Sequence, residues 1–379
     1  MISVGEASGE LLLVGVIRNL LKLLSGSYKI FGMGTSNLRL LGVDLIVNSD
    51  YFSVVGFTEL IWKYRKIKKA QNLMIKALNI NKPDLLILVD YVEFNLKLGK
   101  IAKALKIPVL FYVSPQIWAW RPSRLDNIER SVDALAVILP FEPEIYKNTN
   151  VKAEFVGHPL MEILPFNDDK EQSKKRLGIN SGHQPVVSFL PGSRKSEIDN
   201  HIAIIFDVII KLSAIYPEAL FMIAFANGRY YSKNIEQEIK KLRDVGVAIE
   251  VRVGATYDVI IASDAVAVAS GTAALEVSLL NRPMTVFYKL SYLSHRILKY
   301  LMLTKFISLP NIILGQEFVK EYIQTDMTSE NLASHLKDLI SNIPLRNKQK
   351  IAFANLKKIM GAKLASKNVA NMALKLMDK

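Results

Sequence analysis

Short apolar runs rich in Val, Ile and Leu alternate with longer amphipathic segments along almost the whole chain. This alternation is typical of parallel sheets whose strands are connected by helices. It predicts strands at residues 29–31, 85–89, 109–113, 134–139, 155–157, 186–190, 220–225, 249–253, 265–269 and 285–288. The runs fall into two groups, so we expect an α/β protein with two doubly wound, Rossmann-like sheets.

The two groups are separated by a stretch with the composition of a domain boundary. Residues 159–182 carry Pro165, a mixed charged run and Gly178. We therefore expect an N-terminal domain over residues 1–165 and a second domain over 166–345. From residue 346 onward the only acidic residue is Asp378. We expect this 346–379 segment to be helical and to pack on the first domain or on a partner subunit.

The charge of the chain restricts its partners. With 379 residues, 49 Lys and Arg oppose 35 Asp and Glu, giving a formal charge of +14. Such a charge favours nucleic acid, phosphorylated metabolites or an anionic membrane surface. The absence of cysteine excludes disulfides, thiol nucleophiles and thiolate metal sites. Because no apolar run reaches the ~18 residues of a spanning helix, we expect a cytoplasmic protein.

The seven residues 270–276 combine the end of a predicted strand with the start of a predicted helix. The apolar run 265–269 leads into Ser270, Gly271 and Thr272, and a helical pattern then runs to residue 280. Backbone N–H groups and the helix dipole at such a turn attract an anion, typically a phosphate. Glu276 lies one helical turn further on, where it would accept hydrogen bonds from a sugar hydroxyl. The alternative is an ordinary capped turn without a ligand.

A second turn of this kind follows the strand predicted at 186–190. In Leu190-Pro191-Gly192-Ser193-Arg194, Gly and Ser are expected to leave backbone N–H groups free, and Arg194 supplies a forked cation suited to phosphate. The two turns are expected at the same edge of one sheet. No Asp-x-Asp triplet and no closely spaced histidines occur, so we expect neither a metal nor a cofactor.

The first half of the chain offers candidates for acid–base chemistry. Gly5-Glu6-Ala7-Ser8-Gly9-Glu10 is a third small-residue turn before a helix, and Asp90 follows a buried apolar strand. A carboxylate at a strand end can take a proton from a substrate hydroxyl, although an Asp there is also a common helix cap. Trp118, Trp120 and Arg121 follow the next strand and would either wall a sugar or acyl pocket or close the core.

Two segments combine apolar and basic residues. The helix predicted at 58–78 is amphipathic, and Trp62 projects from its basic face among Arg65, Lys66 and Lys69. An aromatic ring among cations is typical of a helix on an anionic membrane surface. The alternative is a solvated face whose Trp is covered by a loop. The segment 291–307 is also apolar and basic, but too charged to span a membrane.

Six motifs occur in the order seen in the lipid-A-disaccharide synthase family, which the chain resembles over essentially its whole length. They are Gly5-Glu6-Ala7-Ser8-Gly9-Glu10, Ser114-Pro115-Gln116-Ile117-Trp118-Ala119-Trp120-Arg121, Gly157-His158-Pro159-Leu160, Leu190-Pro191-Gly192-Ser193-Arg194, Ser270-Gly271-Thr272-Ala273-Ala274-Leu275-Glu276 and Leu309-Pro310-Asn311. The resemblance implies a GT-B glycosyltransferase with two Rossmann-like domains facing a cleft. It implies transfer of 2,3-diacylglucosamine from its UDP derivative to the 6-hydroxyl of 2,3-diacylglucosamine 1-phosphate. This reaction belongs to lipid A biosynthesis in Gram-negative bacteria.

The resemblance also implies roles for individual residues. Asp90 matches the general base, and the acceptor side is matched by Ser8, Glu10, Trp118 and Arg121. The positions around UDP are Ser193, Arg194, Ser270, Gly271, Thr272, Glu276 and Asn311. The chain departs from the family pattern at Glu10, where Asp is usual, at Val92, where Pro is common, and at Glu93, where Asp is common.

The expected partners are a UDP-activated acylated sugar, an acylated sugar phosphate and the inner membrane surface, contacted peripherally through Trp62, Arg65, Lys66 and Lys69. A homodimer that exchanges C-terminal segments fits the resemblance without being required by the residues.

Two alternatives to this function stay open at this point. One is another GT-B enzyme of a UDP-amino sugar, either an epimerase or a peptidoglycan glycosyltransferase. The other is a non-enzymatic protein that binds membrane or nucleic acid, for which no nucleic-acid-binding motif is found.

Overall fold

The computed structural model describes residues 1–24, 27–52, 60–120, 122–179, 184–290, 304–361 and 364–378, with only the backbone at residues 7, 8, 51, 52, 60–64 and 120. The chain forms two compact units. The first comprises Met1–Glu162 and Met360–Lys379, and the second comprises Ile163–Ile359. Of the C-terminal segment singled out in the sequence, residues 346–359 therefore belong to the second unit and residues 360–379 to the first.

The first unit is built on a seven-stranded sheet of order β3-β2-β1-β4-β5-β6-β7, in which the paired strands run parallel. Its strands are β1 (Ile2–Val4), β2 (Phe31–Gly34), β3 (Asp44–Asn48), β4 (Leu86–Val89), β5 (Val109–Tyr112), β6 (Ala134–Val137) and β7 (Lys152–Phe155).

The second unit is built on a six-stranded parallel sheet of order β10-β9-β8-β11-β12-β13. Its strands are β8 (Val186–Leu190), β9 (Leu220–Phe225), β10 (Ile249–Val253), β11 (Ala265–Ala269), β12 (Met284–Tyr288) and β13 (Glu321–Ile323). Both sheets start from a central strand and add strands first on one side and then on the other, which is the doubly wound arrangement predicted from the sequence.

Helices connect the strands. In chain order they are α1 (Ala7–Leu23), α2 (Leu60–Asn81), α3 (Val92–Ala104), α4 (Ile117–Trp120), α5 (Leu125–Glu129), α6 (Glu142–Tyr146), α7 (Leu160–Ile163), α8 (Lys170–Leu177), α9 (Lys195–Ile215), α10 (Lys233–Asp244), α11 (Thr256–Ala262), α12 (Thr272–Leu279), α13 (Leu309–Leu314), α14 (Ser329–Ser341), α15 (Ile343–Ile359) and α16 (Ala365–Met377). Short 3-10 turns occur at Ser36–Leu41, Ser49–Phe52, Pro122–Arg124, Gly228–Tyr230 and Gln324–Asp326. Within the described residues, no helix is both long enough and apolar enough to cross a bilayer.

Strand β4 shows why these apolar runs form buried parallel strands. Leu86 and Leu88 pack on one face of the sheet, in the layer formed by α2 and α3. Ile87 and Val89 pack on the other face, in the layer formed by α1 and α16. Because both faces are covered, all four residues are buried and the strand reads as a continuous apolar run.

Strand boundaries on both sides of the first sheet differ from the sequence expectation. The strand expected at 29–31 is β2, Phe31–Gly34, and the one expected at 155–157 is β7, Lys152–Phe155. Strands β3 and β13 were not predicted. In the second unit, the four strands predicted at 186–190, 220–225, 249–253 and 265–269 are confirmed residue for residue.

Candidate active site

Each sheet has one point where the order of its strands reverses. In the first unit this point lies between β1 and β4, and in the second between β8 and β11. Ligands of open α/β sheets bind at such points, beside the carboxyl ends of the strands. The turn 5–10 follows β1 and Asp90 follows β4, while the turns 191–194 and 270–276 follow β8 and β11. All four turns singled out in the sequence therefore lie at the two switch points.

Asp90 lies in a strained turn that its surroundings hold in place. Asp90 and Tyr91 have φ values of 50° and 44°, a left-handed conformation that costs about 1–3 kcal/mol for each non-glycine residue. The buried Asn95 donates its amide N–H groups to the carbonyl oxygens of Asp90, at 2.7 Å, and of Val89, at 3.1 Å. Asn95 in turn accepts from the hydroxyl of Ser3 at 2.6 Å. The turn is thus fixed from both β1 and α3.

The glycines of the first motif make room for this turn. A Cβ atom on Gly5 would lie 2.5 Å from the ring of Tyr91, so a larger residue would displace that ring. A Cβ atom on Gly9 would lie 3.0 Å from the side chain of Val4 and 3.3 Å from that of Val89, which are tight contacts at the ends of β1 and β4. Burial raises the pKa of Asp90 above its ordinary value. A carboxylate with a raised pKa is a better proton acceptor.

Glu10 is buried, with 3% of its surface exposed. Its two oxygens accept from Thr35, one from the backbone N–H at 2.6 Å and one from the hydroxyl at 2.5 Å. Glu10 therefore ties the start of α1 to the turn after β2. Of the other acceptor-side candidates, Ser8 lies in the first turn of α1 and its side chain is outside the described residues, as is the whole of Arg121.

Trp118 is held by a buried carboxylate that the sequence did not reveal. Glu142, 1% exposed, accepts from the indole N–H of Trp118 at 3.3 Å and from the backbone N–H groups of Leu139 and Ile138 at 2.9 and 3.2 Å. The indole also packs edge-on against Phe141, with ring centroids 5.1 Å apart. Burial raises the pKa of Glu142 to about 7, although its three hydrogen bonds act in the opposite direction.

The raised pKa makes the stability of the first unit depend on pH. A carboxyl group with a raised pKa in the folded state stabilises the fold below its ordinary pKa and loses this effect as pH rises through about 7. Compared with the Glu142→Gln variant, we expect the natural protein to lose on the order of 2 kcal/mol between about pH 5 and about pH 8. Urea unfolding of both proteins across this range measures the difference.

Glu144→Gln is the matched control, because Glu144 is an exposed carboxylate on the same helix and pairs with Lys147 at the surface. Because Glu144→Gln keeps Glu142, it should lose the same stability between about pH 5 and about pH 8 as the natural protein. A constant difference between Glu142→Gln and the natural protein would show that Glu142 does not titrate in this range.

In the second unit, the turn after β11 has the geometry of an anion site. Gly271 has a φ of 152°, and helix α12 begins at Thr272. The first N–H groups of a helix have no intrahelical acceptor, so they are available to a ligand. The Ser270 hydroxyl donates to the carbonyl oxygen of Ile307 at 2.8 Å. Glu276 accepts from the hydroxyl of Tyr257 at 3.3 Å, and burial raises its pKa.

The turn after β8 differs from the sequence expectation in one respect. The backbone N–H groups of Ser193 and Arg194, expected to be free, donate to the buried carboxylate of Glu197 at 2.9 and 3.2 Å. The close approach of Glu197 requires Gly192, where a Cβ atom would lie 2.6 Å from that carboxylate. The guanidinium of Arg194 contacts the same carboxylate at 3.0 Å, and its side chain is 76% exposed. The cation of Arg194, rather than the amides, therefore faces solvent.

His201 ties this turn to Lys289, the residue that follows β12. It lies in the core, where its Nδ1 contacts the carbonyl oxygen of Pro191 at 2.7 Å and its Nε2 accepts from the backbone N–H of Lys289 at 3.0 Å. These partners require a proton on Nδ1 and none on Nε2. Burial lowers the pKa of His201, which favours this neutral form.

Asn311 is completely buried, and its amide is used within the unit. It accepts from the backbone N–H groups of Phe318 and Val319 at 2.9 and 3.0 Å, and it donates to the carbonyl of Val319 and to Glu321, both at 2.8 Å. Glu321 also accepts from the backbone N–H of Ile307 at 2.9 Å. Asn311 and Glu321 therefore hold the chain segment that the Ser270 hydroxyl contacts.

The basic helix face predicted for membrane contact lies on α2. Arg65, Lys66 and Lys69 are exposed, while the side chain of Trp62 and residues 291–303 lie outside the described residues. Within the ranges that the structure describes, no three His, Asp or Glu side chains come together in a way that could hold a metal ion.

Comparison with known proteins places this arrangement in a family. The lipid-A-disaccharide synthetase family model matches residues 1–375. The lipid-A-disaccharide synthase of Syntrophus aciditrophicus (strain SB) is 36% identical, with 100% of this chain and 98% of that protein aligned. The enzyme of the same name from Geobacter sulfurreducens is 33% identical, with 100% and 97% aligned.

A solved structure supports the fold. The UDP-GlcNAc 2-epimerase of Neisseria meningitidis, bound to UDP-GlcNAc, superposes with a TM-score of 0.63 at 14% identity, covering 97% of each chain. At this identity the likeness concerns the fold alone. It confirms two Rossmann-like units of the GT-B type, as predicted from the sequence. Together with the match over almost the whole sequence, it leads to one conclusion: the chain belongs to the lipid-A-disaccharide synthetase family.

Proposed function

We propose that this protein is an inverting glycosyltransferase that moves 2,3-diacylglucosamine from UDP-2,3-diacylglucosamine to the 6-hydroxyl of 2,3-diacylglucosamine 1-phosphate. The products are the tetra-acyl disaccharide 1-phosphate and UDP. The observation that carries the proposal is the position of the motifs: a candidate base lies at the switch point of one sheet, and the first turn of α12 and the Arg194 cation lie at the switch point of the other.

In the proposed reaction, Asp90 acts as the general base. The acceptor oxygen attacks the anomeric carbon of the donor, its proton passes to the carboxylate of Asp90, and the bond from that carbon to the diphosphate oxygen breaks. The electron pair of the broken bond leaves with UDP. Asp90 suits this role because its turn is fixed by Asn95 and because burial raises its pKa. General-base help of this kind contributes about 10²–10⁴ in rate.

The departing UDP gains negative charge as the bond breaks. The first N–H groups of α12 and the guanidinium of Arg194 are the groups that would stabilise this charge. Glu276, whose carboxylate is oriented by Tyr257, would accept a hydrogen bond from a sugar hydroxyl of the donor. Ser270 and Asn311 support the turn through Ile307 and Glu321.

Incubation of the protein with the two acylated substrates tests the proposed activity. Mass spectrometry should detect the tetra-acyl disaccharide 1-phosphate, and UDP should form in equal amount. An isomerised UDP sugar without disaccharide would instead indicate an epimerase. Failure to bind UDP in a titration would rule out both enzymes.

We further propose that the protein meets its acylated substrates by peripheral attachment to the inner membrane through α2. The exposed cations Arg65, Lys66 and Lys69 lie on this helix, as does Trp62. Each cation near an anionic surface contributes about 1 kcal/mol of attraction, which salt screens.

Flotation with phosphatidylglycerol-containing vesicles measures this attachment. Trp62→Ala in high salt should leave most of the protein unbound, because both the aromatic anchor and the charge attraction are removed. A variant in which Gln replaces three exposed lysines of α10, at Lys233, Lys240 and Lys241, is the matched control and should float like the natural protein. Unchanged flotation of Trp62→Ala in high salt would exclude α2 as the contact.

A further inference from the structure

A cluster of cations lies at the edge of the second sheet opposite to the two anion-attracting turns. Asp264 immediately precedes β11, and Arg282 lies two residues before β12. Val266 pairs with Met284, and the Val266 N–H donates to the carbonyl oxygen of Pro283 at 2.9 Å. This register places Asp264 and Arg282 beside each other where the strands begin. Six residue steps along β11 separate Asp264 from Ser270, a distance of about 20 Å.

Helix α15 brings two more cations to this edge. Its buried Gln349 forms two hydrogen bonds with the backbone of Met284, the first residue of β12. The Gln349 amide accepts from the Met284 N–H at 2.8 Å and donates to the Met284 carbonyl oxygen at 2.9 Å. Arg346 precedes Gln349 by three residues, almost one helical turn, and Lys350 follows it directly. Arg282, Arg346 and Lys170 all act with burial to lower the pKa of Lys350, as expected for cations gathered in one place.

The carboxylate of Asp264, which lies within this cluster, already has partners for both of its oxygens. One oxygen of Asp264 pairs with Lys170, and the other accepts from the backbone N–H of Val186 at 2.9 Å. Among the residues that the structure describes, Arg282, Arg346 and Lys350 have no carboxylate within ion-pair distance, and the buried Nε of Arg282 has no hydrogen-bond acceptor. A buried donor without an acceptor is costly, and the cost is greater for a charged group.

We propose that Lys170, Arg282, Arg346 and Lys350 form a binding site for a phosphate-bearing anion, separate from the nucleotide site. Guanidinium groups match phosphate oxygens in geometry and charge, and an anion here would supply the missing acceptor for Arg282. The phosphate belongs either to a small soluble ligand or to the headgroup of an anionic phospholipid. The proposal does not depend on the proposed glycosyl transfer.

Arg282 is not the residue to change first, because it is largely buried and its loss could disturb the fold. A double variant, Arg346→Gln with Lys350→Gln, removes two cations from the partly exposed rim of the cluster. The matched control is Lys348→Gln with Lys358→Gln, which removes the same charge from exposed positions of the same helix. Thermal unfolding of both variants checks that they remain folded.

Calorimetric titration with inorganic phosphate at constant ionic strength is the first arm. We expect binding to the natural protein, to the control and to Arg194→Gln, and roughly tenfold or greater weakening in the double variant. Flotation on phosphatidylcholine vesicles with and without phosphatidylglycerol is the second arm. If the double variant loses affinity only for the anionic vesicles, the source of the phosphate is a lipid headgroup.

Two results would overturn the proposal. One is equal affinity of the natural protein and the double variant for both phosphate and anionic vesicles. The other is an equal loss in the control, which would show that net charge rather than this cluster attracts the anion.

Discussion

Replacing Asp90 with Asn is expected to lower the turnover of disaccharide formation by about 10²–10⁴, the range for loss of a general base. The amide keeps the shape of the carboxylate but does not take the proton of the attacking hydroxyl. The affinity for UDP should change little, because Asp90 lies in the first unit and the turns expected to hold UDP lie in the second. Steady-state kinetics and a UDP titration measure the two effects separately.

Asp44→Asn is the matched control. Asp44 is exposed at the start of β3, where it pairs with Lys29 at the surface, so its replacement should leave turnover unchanged. A further readout is the acid limb of the kcat/KM profile. Because burial raises the pKa of Asp90, this limb should lie above the ordinary pKa of an aspartate. Near-normal turnover in Asp90→Asn would remove this residue from the mechanism.

Replacing Arg194 with Gln is expected to reduce kcat by about 10²–10³, the usual cost of losing one donor that stabilises transition-state charge. The Arg194 side chain is largely exposed at the end of β8, where its guanidinium contacts Glu197. It is therefore available to the departing diphosphate. Single-turnover kinetics at saturating donor would separate the loss in the chemical step from any loss in binding.

Lys195→Gln is the control for this prediction. Lys195 is the adjacent cation, is 73% exposed and pairs with Asp199 at 2.5 Å, so its replacement removes the same charge without touching the turn. We expect kcat to remain near that of the natural protein. An equal loss of kcat in both variants would mean that the positive electrostatic potential at the start of α9, and not Arg194 itself, acts on the leaving group.

The sequence predicted the architecture well where strands are buried on both faces. The central strands of both sheets are apolar runs, and four in the second unit match the prediction fully. Two of the four edge strands were not predicted: β3 starts with the exposed Asp44, and β13 has three half-buried residues. Gly32 lies in β2, one residue beyond the strand predicted at 29–31. A Cβ atom there would lie 1.9 Å from the carbonyl oxygen of Ile2 in the neighbouring strand.

The candidate site was predicted in outline. The family membership expected from six ordered motifs is confirmed, and the four turns lie at the two switch points. The sequence did not reveal the residues that support these turns and the Trp118 side chain. Glu142, Glu197, His201 and Glu321 bond mainly to backbone groups of neighbouring segments, and such contacts follow from folding rather than from residue spacing. The signal that could have indicated Glu142 and Glu197 is their position in the sequence, because each follows a predicted strand within a few residues.

The proposed mechanism depends most on where the nucleotide binds. A crystal structure of the protein with UDP tests this directly. We expect the diphosphate to lie against the first turn of α12, beside Ser270, Gly271 and Thr272, and within reach of the Arg194 guanidinium. We also expect UDP to bind without a metal ion. A nucleotide bound at another edge of either sheet, or binding that strictly requires magnesium, would contradict the proposed mechanism.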